Sequence, residues 1–321
     1  MDDRLAAELD VFSRPDEQYV RDVYRFALRR DPDEEALERA LAKLGEGTLS
    51  RATLLAELTG TAEHGRIRLL DDAIAAAFAA LAHAERPRRL TGPAWVDERI
   101  VEIPWVLSRL GTGAVLEVGY AFAEPAYLAA LIRAQVERLV GVDLAEREAP
   151  GVEGTRADVR ALPFEEGAFD QVLLVSTLEH VGADNSVYGV ADDNPGGAAE
   201  ALAELRRVLR RGGRLLLTVP TGEPGDHGWF RQDDPAGWNR LFARAGFFVE
   251  EQEIYELTGG GWHANPAFRA DGVRYGERGP AASAVLCLEL SPRRLRRLVT
   301  PSGLTAVARR RLGPKTARFR G

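Results

Sequence analysis

Residues 114–123 read Ala114-Val115-Leu116-Glu117-Val118-Gly119-Tyr120-Ala121-Phe122-Ala123, a short apolar run that passes into a turn of small residues. Such a run, bounded by a glycine and followed by the amphipathic stretch Pro125–Gln135, predicts a buried strand, a tight loop and a helix. A second run, Leu139-Val140-Gly141-Val142-Asp143, ends in a carboxylate 24 residues after Gly119. A carboxylate in that place can accept both hydroxyls of a ribose, whether from a dinucleotide or from an adenosyl compound. Two further segments complete the pattern: Arg156-Ala157-Asp158-Val159-Arg160-Ala161-Leu162-Pro163-Phe164, followed by Gly167-Ala168-Phe169-Asp170, and Ser176-Thr177-Leu178-Glu179-His180-Val181.

Outward from these segments, apolar runs recur at Ala114–Val118, Leu139–Leu144, Gln171–Val175, Arg214–Val219, Phe247–Glu253 and Ala284–Leu290, with helical patterns between most of them, notably Gly197–Leu209. Strands alternating with helices predict an α/β fold whose mainly parallel sheet is covered on both faces. No helical pattern separates the last two runs, so they are expected to close the sheet as an antiparallel pair. In an open sheet of this kind the ligand sits beyond the carboxyl ends of the strands.

Residues 16–64 form a different pattern. Val20, Val23, Tyr24, Ala27 and Leu28 make one helical stripe that Asp16 can cap. Asp31-Pro32-Asp33 ends that helix and starts a second over Glu34–Leu44, and Ser50 caps a third, Arg51–Thr59, with Leu54, Leu55 and Leu58 inward. The expected organisation is a small all-α accessory domain over residues 1–65, a helical connector over 66–90, the sheet domain over 91–290 and a basic tail over 291–321.

The chain has 321 residues, 45% hydrophobic and 28% charged, which is ordinary for a globular protein and enough for one large and one small domain. Among 42 basic residues only Lys43 and Lys315 are lysine, a bias that points to a GC-rich bacterial genome. No run reaches the roughly 18 apolar residues of a membrane span, and the acidic start MDDRLAAELD is unlike a signal peptide, so a cytoplasmic location is expected. One cysteine, Cys287, excludes a disulfide framework, and its apolar surroundings make it an inert thiol. The formal charge is −7, yet the tail from Ser291 carries ten basic residues and no acid. Such a tail can lie against anionic lipid as a peripheral membrane contact, against nucleic acid or against the acidic body, or it can be solvated. The acidic body argues against a long nucleic-acid track.

At this point three resemblances enter. LEVGYAFAEP, GVD, ADVRALPFEEGAFDQVLLVSTLEHV and LRRVLRRGGRLLLTVP, in this order and spacing, resemble a class I S-adenosylmethionine (SAM) methyltransferase with a Rossmann-like sheet. The segments STLEHVGADNSVYG and GDHGWFRQDDPAGWNRLF resemble methyltransferases of bacterial sugar and cell-surface gene clusters. The family likeness implies that Glu117 and Gly119 start the loop for the methionine end of SAM and that Asp143 binds the ribose. It implies further that Asp158 meets the adenine amino group with Val159 beside the ring, and that Leu178 to His180 border the methyl group. Tyr120, Ala121, Leu144 and Thr177 complete the expected cofactor-binding set. The stretch YVRDVYRFALRRDPDEEALERALAKLGEGTLSRATLLAELTGTAEH resembles a bacterial helical domain of unknown function that is often fused to methyltransferases and glycosyltransferases. It implies a bracing or docking module, with a protein partner or a dimer contact as its use.

The likeness has one departure. The family loop usually carries glycine at the positions of Ala121 and Ala123, and an alanine forced to φ > 0 would cost roughly 1 kcal/mol or more. The competing readings of the same residues are local. Glu117 can cap the amides of the Gly119 loop, Asp143 can cap a helix, and Asp158 can cap the turn at Arg160-Ala161. His180 and His227 are the candidate general bases for a sugar or other small polar acceptor, and His263 is a weaker third. The histidine spacings match no metal motif. Trp238 and Phe242 read as core, whereas Trp229 and Trp262 flank glycines and can stack on an acceptor. The segment Asp184–Gly197 reads as a surface loop or as a lid. The expected activity is SAM-dependent methyl transfer to a small polar acceptor. A non-catalytic protein of the same fold and a nicotinamide-dependent oxidoreductase are the alternatives.

Overall fold

The computed structural model describes residues 13–83, 90–186, 192–279 and 281–292. The basic tail beyond residue 292 lies outside the described residues. Four helices come first: α1 (Asp16–Leu28), α2 (Glu34–Gly45), α3 (Arg51–Thr59) and α4 (Ala62–Ala82). Asp33 and Ser50 cap α2 and α3 as their sequences require, each accepting a backbone N–H of the first turn. Asp16 does not cap α1. Pro15 holds the cap position, and the Asp16 carboxylate instead accepts from Arg51 of α3 at 2.7 Å. Tyr19, fully buried, packs with Val20, Val23, Ala27, Leu54 and Leu58, so the three helices have their own small core.

The sheet contains β1 (Ala114–Val118), β2 (Arg138–Asp143), β3 (Glu153–Arg156), β4 (Phe169–Val175), β5 (Leu209–Pro220), β8 (Phe248–Thr258), β9 (Gly261–Ala264) and β10 (Ala284–Ser291), while β6 (Gly225–Asp226) and β7 (Arg231–Gln232) form a separate hairpin. Its order is β3-β2-β1-β4-β5-β10-β8-β9. Pairing is parallel from β3 through β5, and the last strand, β10, inserts antiparallel between β5 and β8. This is the Rossmann-like class I arrangement with an antiparallel last strand, preceded by helices. Two strands of this sheet escaped the sequence pattern, as did the small hairpin: β3 is polar (Glu-Gly-Thr-Arg) at a sheet edge, and β9 is only four residues long.

Alternate residues of each central strand face opposite cores, because side chains in a strand alternate. Val115, Leu139, Leu173, Leu216 and Val285 meet α4, α5 (Arg99–Leu107) and α6 (Pro125–Arg133) on one face. Leu116, Val140, Val172, Leu217 and Leu286 meet α7 (Gly197–Val208) and α8 (Pro235–Arg244) on the other. Trp238 and Phe242 of α8 are core, as their i, i+4 spacing predicts. Trp262 is core as well, contrary to the stacking role considered for it: it is 1% exposed, and its Nε1 donates to Val96 O.

The boundary expected at residues 65 and 66 falls inside α4. At its start His64 Nδ1 bonds Ala27 O of α1, while further along Leu70, Ile74 and Ala77 are buried in the core of the sheet domain. One continuous helix therefore belongs to both parts. No helix among the described residues is long and apolar enough to cross a membrane. Ile74→Ala is expected to cost about 2–4 kcal/mol in urea denaturation, as for a buried aliphatic side chain deleted from a packed core. A cost below about 1 kcal/mol would show that α4 does not anchor the helical unit to the sheet.

Candidate active site

The chain leaves β1 towards β2 and β3 on one side of the sheet and returns to β4 and β5 on the other, so a crevice opens beyond the carboxyl ends of β1 and β4. At the end of β1 the backbone turns through Gly119, at φ 92° and ψ 22°. A Cβ at this position would lie 2.8 Å from Thr177 Oγ1, so the left-handed turn and the close approach both require glycine. Thr177 faces it from the end of β4, donating to Val175 O at 2.9 Å. The two alanines do not carry the feared strain. Tyr120–Phe122 form a single 3₁₀ turn, Ala123 sits at φ −60° and ψ 145°, and Ala121 is not among the described residues with positive φ. The loop reaches its shape with one left-handed residue rather than three.

Asp143, at the end of β2, accepts from Ala121 N at 3.1 Å on one oxygen and from Ala145 N at 3.0 Å on the other. One bond per oxygen leaves acceptor capacity on a carboxylate that can take about four. It thus serves its local loop and still offers lone pairs to the cleft it lines. Asp158 is bound to Arg160 by side chain and backbone, with Nη2 to Oδ2 at 2.6 Å, which lowers its pKa and caps the turn as the local reading proposed. Arg160 also meets Asp192 at 2.6 Å, so the far end of the 184–197 segment is tied to the turn that follows β3. Residues 187–191 of that segment lie outside the described residues.

Glu117 does not cap the loop amides. It is 2% exposed and accepts from Tyr127 OH of α6 at 2.8 Å, and burial pushes its carboxyl well above the ordinary range. Gly119, Leu144, Val159, Thr177 and His180 line the cleft together with Glu117, Asp143 and Asp158, and Phe122 and Leu144 offer it exposed apolar faces. Tyr120, Ala121 and Leu178 do not line it. The Tyr120 ring instead fills the space over Gly141 and Gly154, Ala121 contributes its N–H to Asp143, and Leu178 is buried beneath.

The two candidate bases separate. His180 lines the cleft, its Nδ1 lies 2.9 Å from Trp229 O, and its ring stacks on Trp229 at 5.0 Å. A carbonyl oxygen only accepts, so Nδ1 carries the hydrogen and Nε2 keeps its lone pair. Burial holds the imidazole below its ordinary pKa, against the opposing pull of the Trp229 bond, so His180 is neutral and able to take a proton. His227 is exposed on the β6–β7 hairpin, stacked on Phe230 at 4.4 Å, and does not line the cleft. His263 stays on β9, bonded to Gly261 O.

The sequence pattern missed Arg99 and Glu102, and it gave Ser176 of its last segment no role. Arg99, from α5, reaches the cleft and pairs with Glu102 at 2.6 Å. Its positive charge also acts on Glu117. Glu102, fully buried, accepts in turn from Ser176 Oγ at 2.6 Å. Ser176 holds φ 41° at the end of β4, a left-handed conformation that costs a non-glycine residue about 1–3 kcal/mol and is upheld by this bond and by Thr218. The signal was hidden because Arg-Ile-Val-Glu-Ile-Pro-Trp-Val-Leu has no polar face, and α5 is buried along nearly its whole length.

The methyltransferase-domain family model matches residues 116–217. A 37.1 kDa protein of transposon TN4556 from Streptomyces fradiae is 35% identical over 93 residues, which cover 26% of this chain and 23% of that protein. The chain thus spans about a quarter of this relative's length. Among solved structures, a SAM-dependent methyltransferase of Methanosarcina mazei shares 14% identity over 58% of this chain and 96% of its own, with a TM-score of 0.41. The 1,6-didemethyltoxoflavin-N1-methyltransferase of Burkholderia thailandensis, solved with S-adenosylhomocysteine, shares 17% identity over 84% of this chain and 89% of its own, with a TM-score of 0.40.

Gly119→Ala is expected to weaken cofactor binding at least tenfold by calorimetry, whereas Ala121→Gly should change it by less than about threefold. Equal effects would mean that the loop strain is shared. A second expectation concerns Glu98, next to Arg99, whose carboxyl is pushed up to about 7 by burial and then by the charge of Glu102. Unfolded, it ionises near 4.5, so the native state holds this proton more tightly and loses stability as pH rises from about 4.5 to about 7. Glu98→Gln, which keeps an acceptor for Ala282 N, should raise Tm at pH 8 and change it little at pH 4. The same Tm change at both pH values would refute this.

Proposed function

We propose that this chain, which carries a class I methyltransferase domain over residues 116–217, uses SAM to methylate a hydroxyl of a small polar acceptor, with a sugar or surface-glycan precursor as the acceptor class. The observation that carries the reading is the meeting of Asp143, with acceptor capacity to spare, and neutral His180 in one crevice. The residues fit the cofactor chemically. Asp143 can accept from ribose hydroxyls, Arg99 can meet the carboxylate, and Phe122 and Leu144 give apolar faces to an adenine.

Bound there, SAM supplies a methyl group on a positively charged sulfur, already electrophilic. The protein's share is therefore alignment, exclusion of water and removal of the hydroxyl proton. Gly119 and Thr177 keep the two strand ends close, which narrows the crevice behind the reacting centre. Trp229, 37% exposed and stacked on His180, offers a flat face to the apolar side of a sugar ring. His180 Nε2 takes the hydroxyl proton. The helical unit, joined through α4, is read as a brace with a surface for a protein partner or a second copy, and the location as cytoplasmic.

Titration calorimetry with SAM and with NAD on wild type and Asp143→Ala tests the cofactor. Micromolar SAM binding lost in the variant, with no heat from NAD, is expected; SAM heat absent from folded wild type would refute the reading. With a panel of nucleotide sugars as acceptors and S-adenosylhomocysteine release as readout, His180→Ala should lower turnover about 10²–10⁴-fold with SAM affinity kept.

A further inference from the structure

His180 follows Glu179 in the 3₁₀ turn Leu178–His180 at the end of β4. The Glu179 side chain is 4% exposed, and its Oε2 has no hydrogen-bond partner among the described residues. Its other oxygen lies 3.9 Å from His180 Nε2, the nitrogen left with a lone pair once Nδ1–H is held by Trp229 O. Buried carboxyl oxygens are seldom left unpaired, since each costs about 1–3 kcal/mol. The orphan Oε2, on the same carboxyl group whose Oε1 faces the candidate base, therefore calls for an account. A separation of 3.9 Å exceeds a hydrogen bond by about 1 Å; two lone pairs do not bond, so the contact becomes a hydrogen bond when one of the two atoms carries the proton, and catalytic bonds often tighten only when substrate is bound.

We propose that Glu179 and His180 form a coupled base, in which the Glu179 carboxylate receives and holds the Nε2–H of the imidazolium formed when Nε2 draws the proton from the acceptor hydroxyl. This rests on the methyl-transfer reading above. In the step, the acceptor O–H bond breaks and its oxygen pair forms the new bond to the methyl carbon. The sulfur–methyl bond breaks and leaves its pair on sulfur. The proton moves to Nε2, and the imidazolium is held against the ionised Glu179. Glu179 is then a positioning residue that acts through His180, and the pair starts the step with one proton fewer than its resting form.

The charges that face the pair set the pH at which this form appears. Glu98, Arg99 and Glu102 approach from the α5 side, Tyr275 from the segment before β10, and the Trp229 carbonyl from the β6–β7 hairpin. Burial first, then the charges of Glu102 and Glu98, push the Glu179 carboxyl well above its ordinary range, while its backbone bond and Arg99 act the other way. Burial and Arg99 pull His180 down. The pair therefore gives up its shared proton at a higher pH than a solvent-exposed carboxylate would, and base strength rises with pH through that point. Two interacting groups titrate as a pair, with steps that belong to neither alone.

The test needs no acceptor. The full chain is labelled with ¹³C at histidine Cε1, His180 is assigned through His180→Asn, and its resonance is followed from pH 4 to 10 in wild type and Glu179→Gln. Wild type is expected to move in two steps, the upper one above about 6.5, the ordinary histidine value. Glu179→Gln should retain a single step below it, with the upper step absent. Glu179→Asp, which keeps the acid but withdraws it by one methylene, should move the upper step by at least half a unit, and it serves if the glutamine variant does not fold. Coincident wild-type and variant curves would overturn the coupling. SAM calorimetry on the same wild-type sample separates the two readings: no SAM heat with two-step histidine curves refutes methyl transfer while the pair stands.

Discussion

The contact between Gly119 and Thr177 is the constraint on which the site depends. It joins the ends of β1 and β4, the two strands at which the chain changes its direction across the sheet. Any side chain at residue 119 would push these ends apart, and the positive φ there is what turns the loop back towards Asp143. From this turn follow the place of the 3₁₀ turn, the bond from Ala121 N to Asp143, and the line of cleft residues running to His180. A glycine at one position, with alanines after it, is enough because only one residue has to be left-handed.

Behind that crevice lies an unusual charge distribution. Glu98, Glu102, Glu117 and Glu179 are all buried, and Arg99 is the cation they share. Burying an ionised carboxylate without a partner costs several kcal/mol, so most of these groups hold a proton or a close donor. Glu102 has two donors, Arg99 and Ser176, and Glu117 has Tyr127. Among the described residues, Glu179 Oε2 has no hydrogen-bond partner, which singles it out. The left-handed Ser176 belongs to the same network, since its hydroxyl bond to Glu102 helps to hold a strained backbone exactly where β4 gives way to the cleft.

The helical unit is joined to this centre by more than a linker. Arg66 of α4 lies 3.6 Å from both Asp97 and Glu124, and Glu124 lines the cleft at the start of α6. These are partly exposed pairs at long range, so each contributes little to stability. Their value is geometric: the same helix that caps the small core of α1 to α3 also touches the rim of the site.

The sequence by itself determined the α/β class, the antiparallel closing strand, the capped helices α2 and α3, and the set of strand ends where a ligand sits. These are properties of local pattern: period-two or continuous apolar runs, cap residues, and carboxylates that end strands. Polar β3, the all-buried α5 and short β9 were illegible because each lacks the local periodicity that marks an element and is defined by the neighbours that cover it. Only the tertiary structure decided that Ala121 is unstrained, that Glu117 serves Tyr127, and that His180 lines the cleft while His227 does not. It alone brought Arg99, Glu102 and Glu179 to one place, since they are separated by up to eighty residues of chain. Burial, orientation and pairing depend on what lies opposite a residue, and that is set by packing rather than by its neighbours in sequence.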